Sequence, residues 1–223
     1  MRENPRIGIF GGTFNPIHLG HLHAAEQVAE QLGLERVIFV PSAQPPHKRA
    51  SEADPIAPAE DRLAWVRAAI RGNPRFEVDP LELERGGPSY SVETLRSIGR
   101  RAGPGLPVFA IGHDAFVEMG SWRQPEQLFT LAHFAVIARP PAATGTLEDW
   151  LPKCLRDDVE LASDGLSGQH RRAGTWVRLL DIRALDVSAS DVRARLREGR
   201  SVRYLLPEAV LEAVNRSGVY RKP

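Results

Sequence analysis

Residues 7–21 read IGIFGGTFNPIHLGH, and this stretch indicates how the chain folds. Its first four residues are apolar and run into two glycines, which is typical of a buried strand that stops at a tight turn. From Leu19 apolar residues recur every three or four positions up to Gly33, so we expect a helix there. Residues 37–40 are apolar again. Strand, helix and strand in this order predict a βαβ unit in a parallel sheet that is covered on both faces.

The same alternation continues along the chain. We expect helices over residues 60–72, 92–98 and 126–131, and strands over residues 76–78, 108–111, 134–138 and 175–180. Two helices close the chain, over residues 191–198 and from Pro207 to residue 216. These elements predict an α/β fold with a doubly wound, mainly parallel sheet.

The region from residue 140 to residue 174 is less periodic. It predicts one helix over residues 146–155 and then a polar loop, in which residues 170–172 are solvated. We find no internal repeat and no linker in the sequence. We therefore expect a single domain over residues 1–223.

Composition and charge narrow the class of protein. The chain has 223 residues, of which 42% are hydrophobic and 26% charged, as in an ordinary globular domain rather than a disordered or coiled-coil chain. The net charge of +1 gives no field that would attract a nucleic acid polymer, although a small anion could still bind. The one cysteine, Cys154, cannot form an internal disulfide, so the cytoplasm is the expected compartment. The apolar stretches are too short for a signal segment or a membrane span.

The turn after the first strand is the first place to expect a ligand, because ligands of open parallel sheets bind at the carboxyl ends of the strands. The glycines let backbone amides approach an anion, and the start of the following helix favours negative charge. His18 and His21 are three residues apart, so both rings can face the same ligand. The turn is neither a Walker loop nor a dinucleotide fingerprint, and the histidine spacing of zinc proteases is absent. The alternative is that both histidines serve only in capping or packing.

Residues 11–21 resemble the signature of the His-x-Gly-His nucleotidyltransferases. Class I aminoacyl-tRNA synthetases share the His-x-Gly-His fragment, but they need a second, lysine-rich loop that three scattered lysines cannot supply. The superfamily also has a Ser/Thr-rich helix start that ends in Arg, and residues 187–193, VSASDVR, are similar to it. Alone, this stretch is an ordinary helix N-cap. With the first motif it indicates a second anion clamp, in which Ala189 replaces the usual Ser and Ser190 and Arg193 are the candidates.

The middle of the chain is similar to the bacterial nicotinate-nucleotide adenylyltransferases of NAD synthesis. The similarity covers nearly the whole length and rests on residues 45–48 (PPHK), 87–95 (GPSYSVETL), 111–114 (IGHD), Trp122, 139–140 (RP) and 204–207 (YLLP). The chain departs from the family pattern at Glu93, where Asp is usual, and at His113, where a small residue is usual.

The resemblance implies a Rossmann-like fold and transfer of the adenylyl group of ATP to nicotinate mononucleotide, with pyrophosphate as the other product. It assigns His18, His21 and Arg193 to catalysis, and the helices over about residues 190–217 to closure of the ATP site. ATP would also contact Gly11, Gly12, Thr13, Phe14, Gly112, Asp114, Arg139 and Ser190. The mononucleotide would contact Lys48, Ser89, Tyr90, Ser91, Asp114 and Trp122.

The resemblance further implies that Mg²⁺ arrives with ATP, since no carboxylate cage appears near either clamp. Two alternatives stay open. One is an adenylyltransferase for nicotinamide mononucleotide or phosphopantetheine, and the other is a nonenzymatic nucleotide-binding regulator. A homo-oligomer is also compatible with the sequence.

Overall fold

A computed structural model describes residues 7–46, 54–101, 105–138 and 145–221. Strands and helices alternate through most of it, in the order β1 (Ile7–Gly12), α1 (Leu19–Leu32), β2 (Arg36–Pro41), α2 (Ala59–Ala69), β3 (Phe76–Val78), α3 (Leu81–Arg85), α4 (Ser91–Gly99), β4 (Val108–Gly112), α5 (His113–Glu118), α6 (Pro125–Leu131), β5 (His133–Ile137), α7 (Leu147–Trp150), β6 (Val159–Leu161), β7 (Ser167–His170), β8 (Trp176–Leu180), α8 (Ala189–Arg197) and α9 (Glu208–Ser217). None of the helices in these ranges is long and apolar enough to cross a bilayer. The predicted site residues Lys48 and Arg139 lie outside the described residues.

The sheet has eight strands in the order β3-β2-β1-β4-β5-β8-β7-β6. The pairs β1–β4, β4–β5 and β5–β8 are parallel, whereas β6–β7 and β7–β8 are antiparallel. The apolar runs that predicted buried strands supply the centre of this sheet, where Ile9, Phe39, Phe134 and Val136 have no more than a trace of exposed surface. The predicted α/β fold with a mainly parallel, Rossmann-like sheet is confirmed.

The described part of the chain forms two compact units, each assembled from three separate stretches. Unit 1 consists of the described residues within 1–11, 25–37 and 90–184, and unit 2 of those within 12–24, 38–89 and 185–223. In unit 1 the ring of Phe134 packs on Phe129 at 4.6 Å and on Phe109 at 5.8 Å. In unit 2 Trp65 lies 6.0 Å from Tyr220, so the end of the chain packs on α2. The single domain expected from the sequence stays a prediction.

Two sequence predictions for residues 146–174 were wrong. The helix over residues 146–155 ends at Trp150, because Pro152 has no N–H to continue it, and a 3₁₀ helix follows over Lys153–Asp158. The polar stretch contains the hairpin of β6 and β7 instead of a loop throughout. The prediction that residues 170–172 are solvated is confirmed for Arg171 and Arg172, which are exposed, and wrong for His170. His170 is 5% exposed, its ring stacks on Phe129 at 5.8 Å, and its Nδ1 accepts a hydrogen bond from the Ala173 N–H. Gly and Ser in this stretch hid the strand pattern.

Candidate active site

The loop between β1 and α1 buries nearly all of its side chains in unit 2. Thr13, Phe14, Asn15, Ile17 and His18 are each at most 9% exposed. Phe14 has φ +47°, a left-handed conformation that is strained for an aromatic residue, and the Asn15–Pro16 peptide bond is cis. The Phe14 ring packs edge-on against His21 at 5.2 Å. Of the loop residues predicted to bind ATP, Phe14 can therefore offer its backbone, while its ring belongs to the core.

His18 and His21 form a stacked pair at the start of α1. Their ring centroids are 3.7 Å apart and the ring planes are inclined by 27°. The His18 N–H donates to Nδ1 of His21 at 3.2 Å, so the proton of the neutral His21 ring is on Nε2. His18 is 1% exposed, whereas His21 is half-buried. The sequence prediction that both rings share one face is confirmed.

Gly20 lies against this pair and has no room for a side chain. A Cβ at this position would lie 3.0 Å from Nδ1 of His18 and 3.2 Å from the Val187 carbonyl oxygen. Real Cβ atoms seldom approach another atom so closely. Because Gly20 has no side chain, the His18 ring and the backbone before α8 can both pack closely against its Cα atom.

The start of α8 is capped by Ser188, whose Oγ accepts a hydrogen bond from the Asp191 N–H at 3.1 Å. Ser190, the predicted clamp residue, is exposed and its Oγ lies 3.0 Å from Ser188 Oγ. The N-cap interpretation of this stretch is confirmed for Ser188, and the Ser190 hydroxyl stays accessible beside it.

Arg193 is held by two partners in unit 2. Its Nε and Nη2 donate to the two carboxylate oxygens of Asp54 at 2.7 and 2.6 Å, and its Nη1 donates to the Asn15 carbonyl at 2.8 Å. Arg197 also donates to Asp54, at 3.1 Å. The hydrogen bonds from Arg193 hold the pKa of Asp54 below its ordinary value, although burial opposes this shift. Each terminal nitrogen of Arg193 keeps a second N–H that a phosphate could accept.

Asn15 joins the loop to the end of the chain. Its Oδ1 accepts hydrogen bonds from the Tyr220 hydroxyl and, at 2.9 Å, from the Ala57 N–H, and its Nδ2 donates to the Pro55 carbonyl at 3.0 Å. Burial raises the pKa of Tyr220 far above its ordinary value, so its hydroxyl stays a donor. Sequence reasoning did not predict that these two residues pair, since nothing near either one points to the other.

Two further residues of unit 2 were missed. The hydroxyl oxygen of Ser42 is buried and has no hydrogen-bond partner among the described residues. The backbone N–H of the same residue donates to the Gly12 carbonyl at 2.9 Å. Arg62 is 1% exposed, and its guanidinium hydrogen-bonds three backbone carbonyls. An arginine inside a helix pattern gives no sign of burial in the sequence.

Ser89 is tied to the loop after β2. Its Oγ accepts from the Ala43 N–H at 2.9 Å, and its own N–H donates to the Gln44 carbonyl at 2.9 Å. The hydroxyl proton of Ser89 is left to donate to a substrate.

The remaining candidates belong to unit 1. Gly112 is the residue before α5, and Asp114 stands in the first turn of that helix with 82% of its side chain exposed. Nε2 of His113 lies 2.8 Å from Oδ1 of Asp114. His113, the departure from the family pattern, therefore contacts the carboxylate that the resemblance assigns to ribose.

Trp122 lies at the end of the 3₁₀ helix Met119–Ser121, and its N–H donates to the Met119 carbonyl at 3.1 Å. The next residue, Arg123, lies 3.4 Å from Glu93 and places its guanidinium 4.7 Å above the ring of Tyr90. Ser91 is the first residue of α4. The structure thus brings the segment around Trp122 to the Tyr90–Glu93 end of α4.

No group of three or more His, Cys, Asp or Glu side chains within the described ranges could hold a metal ion.

Residues 9–195 match the model of the cytidylyltransferase-like family. The sheet, the two-histidine loop and this match define a nucleotidyltransferase. The chain is 40% identical to the probable nicotinate-nucleotide adenylyltransferase of Geotalea daltonii, over 96% of this chain and 98% of that protein. It is 39% identical to the protein of the same name from Methylococcus capsulatus, over 97% of this chain and all of the relative. The chain belongs to the nicotinate-nucleotide adenylyltransferase family.

The fold is also similar to a solved structure of the Plasmodium falciparum nicotinic acid mononucleotide adenylyltransferase complexed with NaAD. The TM-score is 0.71 at 15% identity, and the similarity covers 97% of each chain. A second structure of that protein, complexed with APC, gives a TM-score of 0.68 over 96% of each chain. At this identity the likeness concerns the fold alone.

Proposed function

We propose that this chain transfers the adenylyl group of ATP to nicotinate mononucleotide, giving nicotinate adenine dinucleotide and pyrophosphate. The observation that carries the proposal is the near-full-length identity of about 40% to relatives that bear this activity in their names. The stacked His18–His21 pair at the loop after β1 supports it, because a degenerate nucleotide-binding regulator has no need for both rings.

The phosphate of the mononucleotide attacks the α-phosphorus of ATP, and the bond to the β-phosphate oxygen breaks as pyrophosphate leaves. The nucleophile is already an anion, so the protein needs no general base and forms no covalent intermediate. Its work is to hold the two phosphates in line and to stabilise the charge on the phosphoryl and leaving oxygens. His18 would donate to the α-phosphate, and His21 would donate through Nε2 to the triphosphate with Ser190 and Arg193.

The acceptor mononucleotide would lie against Ser89, Tyr90, Ser91, Asp114 and Trp122, with Lys48 on its phosphate. We propose that Mg²⁺ enters with ATP and neutralises the charge of the leaving pyrophosphate. The other proposed ATP contacts are residues 11–14, Gly112, Asp114 and Arg139.

The test is pyrophosphate release from ATP with a panel of acceptors: nicotinate mononucleotide, nicotinamide mononucleotide and phosphopantetheine. We expect kcat/KM for the acid mononucleotide to exceed that for the amide by on the order of 10²-fold, because an unpaired amide N–H in a closed site and the loss of a charge-assisted hydrogen bond each reduce binding. A preference for the amide or for phosphopantetheine would move the chain to a sister activity. Absence of turnover with every acceptor would favour a nucleotide-binding regulator.

A further inference from the structure

Arg62 is a buried arginine that no step of the proposed reaction uses. It lies on α2, is 1% exposed, and has the largest side chain among the fully buried residues of the described ranges. Its three nitrogens donate in three directions: Nε to the Ala57 carbonyl at 2.9 Å, Nη1 to the Thr13 carbonyl at 2.7 Å, and Nη2 to the Ala43 carbonyl at 3.1 Å.

These hydrogen bonds do not form an ion pair. In the described part of the chain all three end on backbone carbonyls and none on a carboxylate. Burial lowers the pKa of Arg62, but a guanidinium stays charged at every working pH. The buried carboxylate of Glu82 favours the charged form of Arg62 but is not among these hydrogen-bond partners. The three backbone hydrogen bonds therefore set the position of the guanidinium.

The three carbonyls belong to two loops of unit 2: Thr13 to the loop between β1 and α1, and Ala43 and Ala57 to the two ends of the loop between β2 and α2. Thr13 lies in the loop that carries His18. Ala43 lies in the loop after β2, and its N–H donates to the Ser89 hydroxyl at 2.9 Å. Ala57 precedes α2, and its N–H donates to Asn15 Oδ1 at 2.9 Å. One rigid, planar group is thus bonded to the loop proposed for ATP and to the loop proposed for the mononucleotide.

We propose that Arg62 is a positioning residue that sets the register between these loops, and that its charge adds a fixed positive potential under the proposed phosphate site. This inference rests on the proposed function. Misplacement of reacting groups by about 1 Å lowers rates on the order of 10²-fold, so a loss of register has a large effect on turnover even where the fold is kept.

The experiment compares Arg62→Lys and Arg62→Ala with the wild type. Lysine keeps the charge and most of the volume, but its single nitrogen cannot reach the three carbonyls of the two loops at once. The matched control is Arg67→Lys, at an exposed position of the same helix. Turnover is measured at varied ATP and varied mononucleotide, ATP affinity by calorimetry, and the fold by circular dichroism and Tm. For Arg62→Ala, turnover is also measured with added guanidinium and with added ammonium at equal concentration.

We expect Arg62→Lys to fold and to lose roughly 10-fold or more in kcat, with Arg67→Lys unchanged, and guanidinium but not ammonium to restore part of the activity of Arg62→Ala. Wild-type kcat and KM in a folded Arg62→Lys would overturn the proposal, as would an Arg62→Lys that fails to fold, since the arginine would then serve the core alone. If the wild type itself does not turn over, the proposed function fails. In that case the ATP affinity of Arg62→Lys tests the positioning role. An unchanged Kd for ATP would overturn this role, and an increased Kd would support it.

Discussion

Arg193 holds a loop through its guanidinium and is also the residue proposed to bind the triphosphate. The sequence motif predicts it as an anion clamp, whereas the structure bonds it to Asp54 and to the Asn15 carbonyl. The carboxylate and the carbonyl oxygen are both negative, so they attract and orient the guanidinium. These hydrogen bonds use three of its five N–H groups. Its role toward the triphosphate stays a prediction.

The first residue-scale prediction concerns His18. We expect His18→Ala to lower kcat by on the order of 10²-fold, because the substitution removes a proposed donor to the transition state. The secondary structure should be kept, which circular dichroism checks. Near-normal turnover in a folded His18→Ala would exclude the assignment.

Gly20 carries the second prediction. Gly20→Ala adds a Cβ 3.0 Å from Nδ1 of His18, so the imidazole must move by a few tenths of an ångström. We expect kcat to fall several-fold or more, since small displacements of reacting groups lower rates strongly. Alanine is the better helix former, which limits the loss of stability. Steady-state kinetics and Tm measure the two effects. A variant with wild-type kcat would show that the ring position is not critical.

The third prediction concerns Asp54 and the pH dependence of the stability of the fold. Its pKa is lowered from the ordinary value of 3.8, chiefly by hydrogen bonds from Arg193. A carboxyl with a lower pKa in the folded state stabilises the fold above the unfolded pKa, and this stability is lost as pH falls through the folded pKa. We expect Asp54→Asn to have a lower Tm than the wild type at pH 7, and the two Tm curves to converge below about pH 4. The effect is small because the side chain is 48% exposed. Parallel curves down to pH 3 would contradict the assignment.

The segments on both sides of α9 contact the loop and helix start that follow β1. Residues after α9 return Tyr220 to the loop before α1, where its hydroxyl donates to Asn15. The Leu19 N–H, at the start of α1, donates to the Leu205 carbonyl at 2.9 Å. Within unit 2 the segment around α9 therefore supports the loop that carries His18 and the start of α1, which carries His21.

Tyr220→Phe tests this support, because it removes the hydroxyl and keeps the ring beside Trp65. We expect the free energy of unfolding to fall by about 0.5–1.5 kcal/mol, as for the loss of one neutral hydrogen bond, and kcat to fall several-fold. Denaturant unfolding and steady-state kinetics measure both. Tyr204→Phe is the control, since that side chain is 81% exposed and should change neither quantity. Equal effects of the two substitutions would rule out a specific role for the Tyr220 hydroxyl.

The prediction for the whole molecule concerns magnesium. We expect chelation of divalent cations to abolish turnover and to leave the Tm of the nucleotide-free protein unchanged, because the metal is proposed to arrive on ATP. Thermal unfolding with and without chelator, each with and without ATP, measures this. A chelator-induced fall in Tm without ATP would reveal a metal site in the protein itself.

Local pattern was sufficient for most of the fold. Apolar runs of four or five residues placed β1, β2, β4 and β5, three- and four-residue spacing placed α1, and Pro207 at the first turn placed α9. Gly33, with φ +63°, ends α1 where only a flexible residue fits well. Pattern was insufficient for β6, β7, α3 and α5, because these elements are short and their stability comes from pairing and packing rather than from their own sequence.

Residues that are close along the chain were enough to predict the alternation of strands and helices, the positions of His18 and His21 after the first strand, and the family. The partners that hold the loop between β1 and α1 became evident only in the folded chain. Arg193 and Asp54 are separated by 139 positions, Tyr220 and Asn15 by 205, and Arg62 and Thr13 by 49. A hydrogen bond across such a separation depends on the path of the whole backbone. The residues next to a guanidinium or hydroxyl in sequence do not indicate which carbonyl, carboxylate or amide it will bond in the fold.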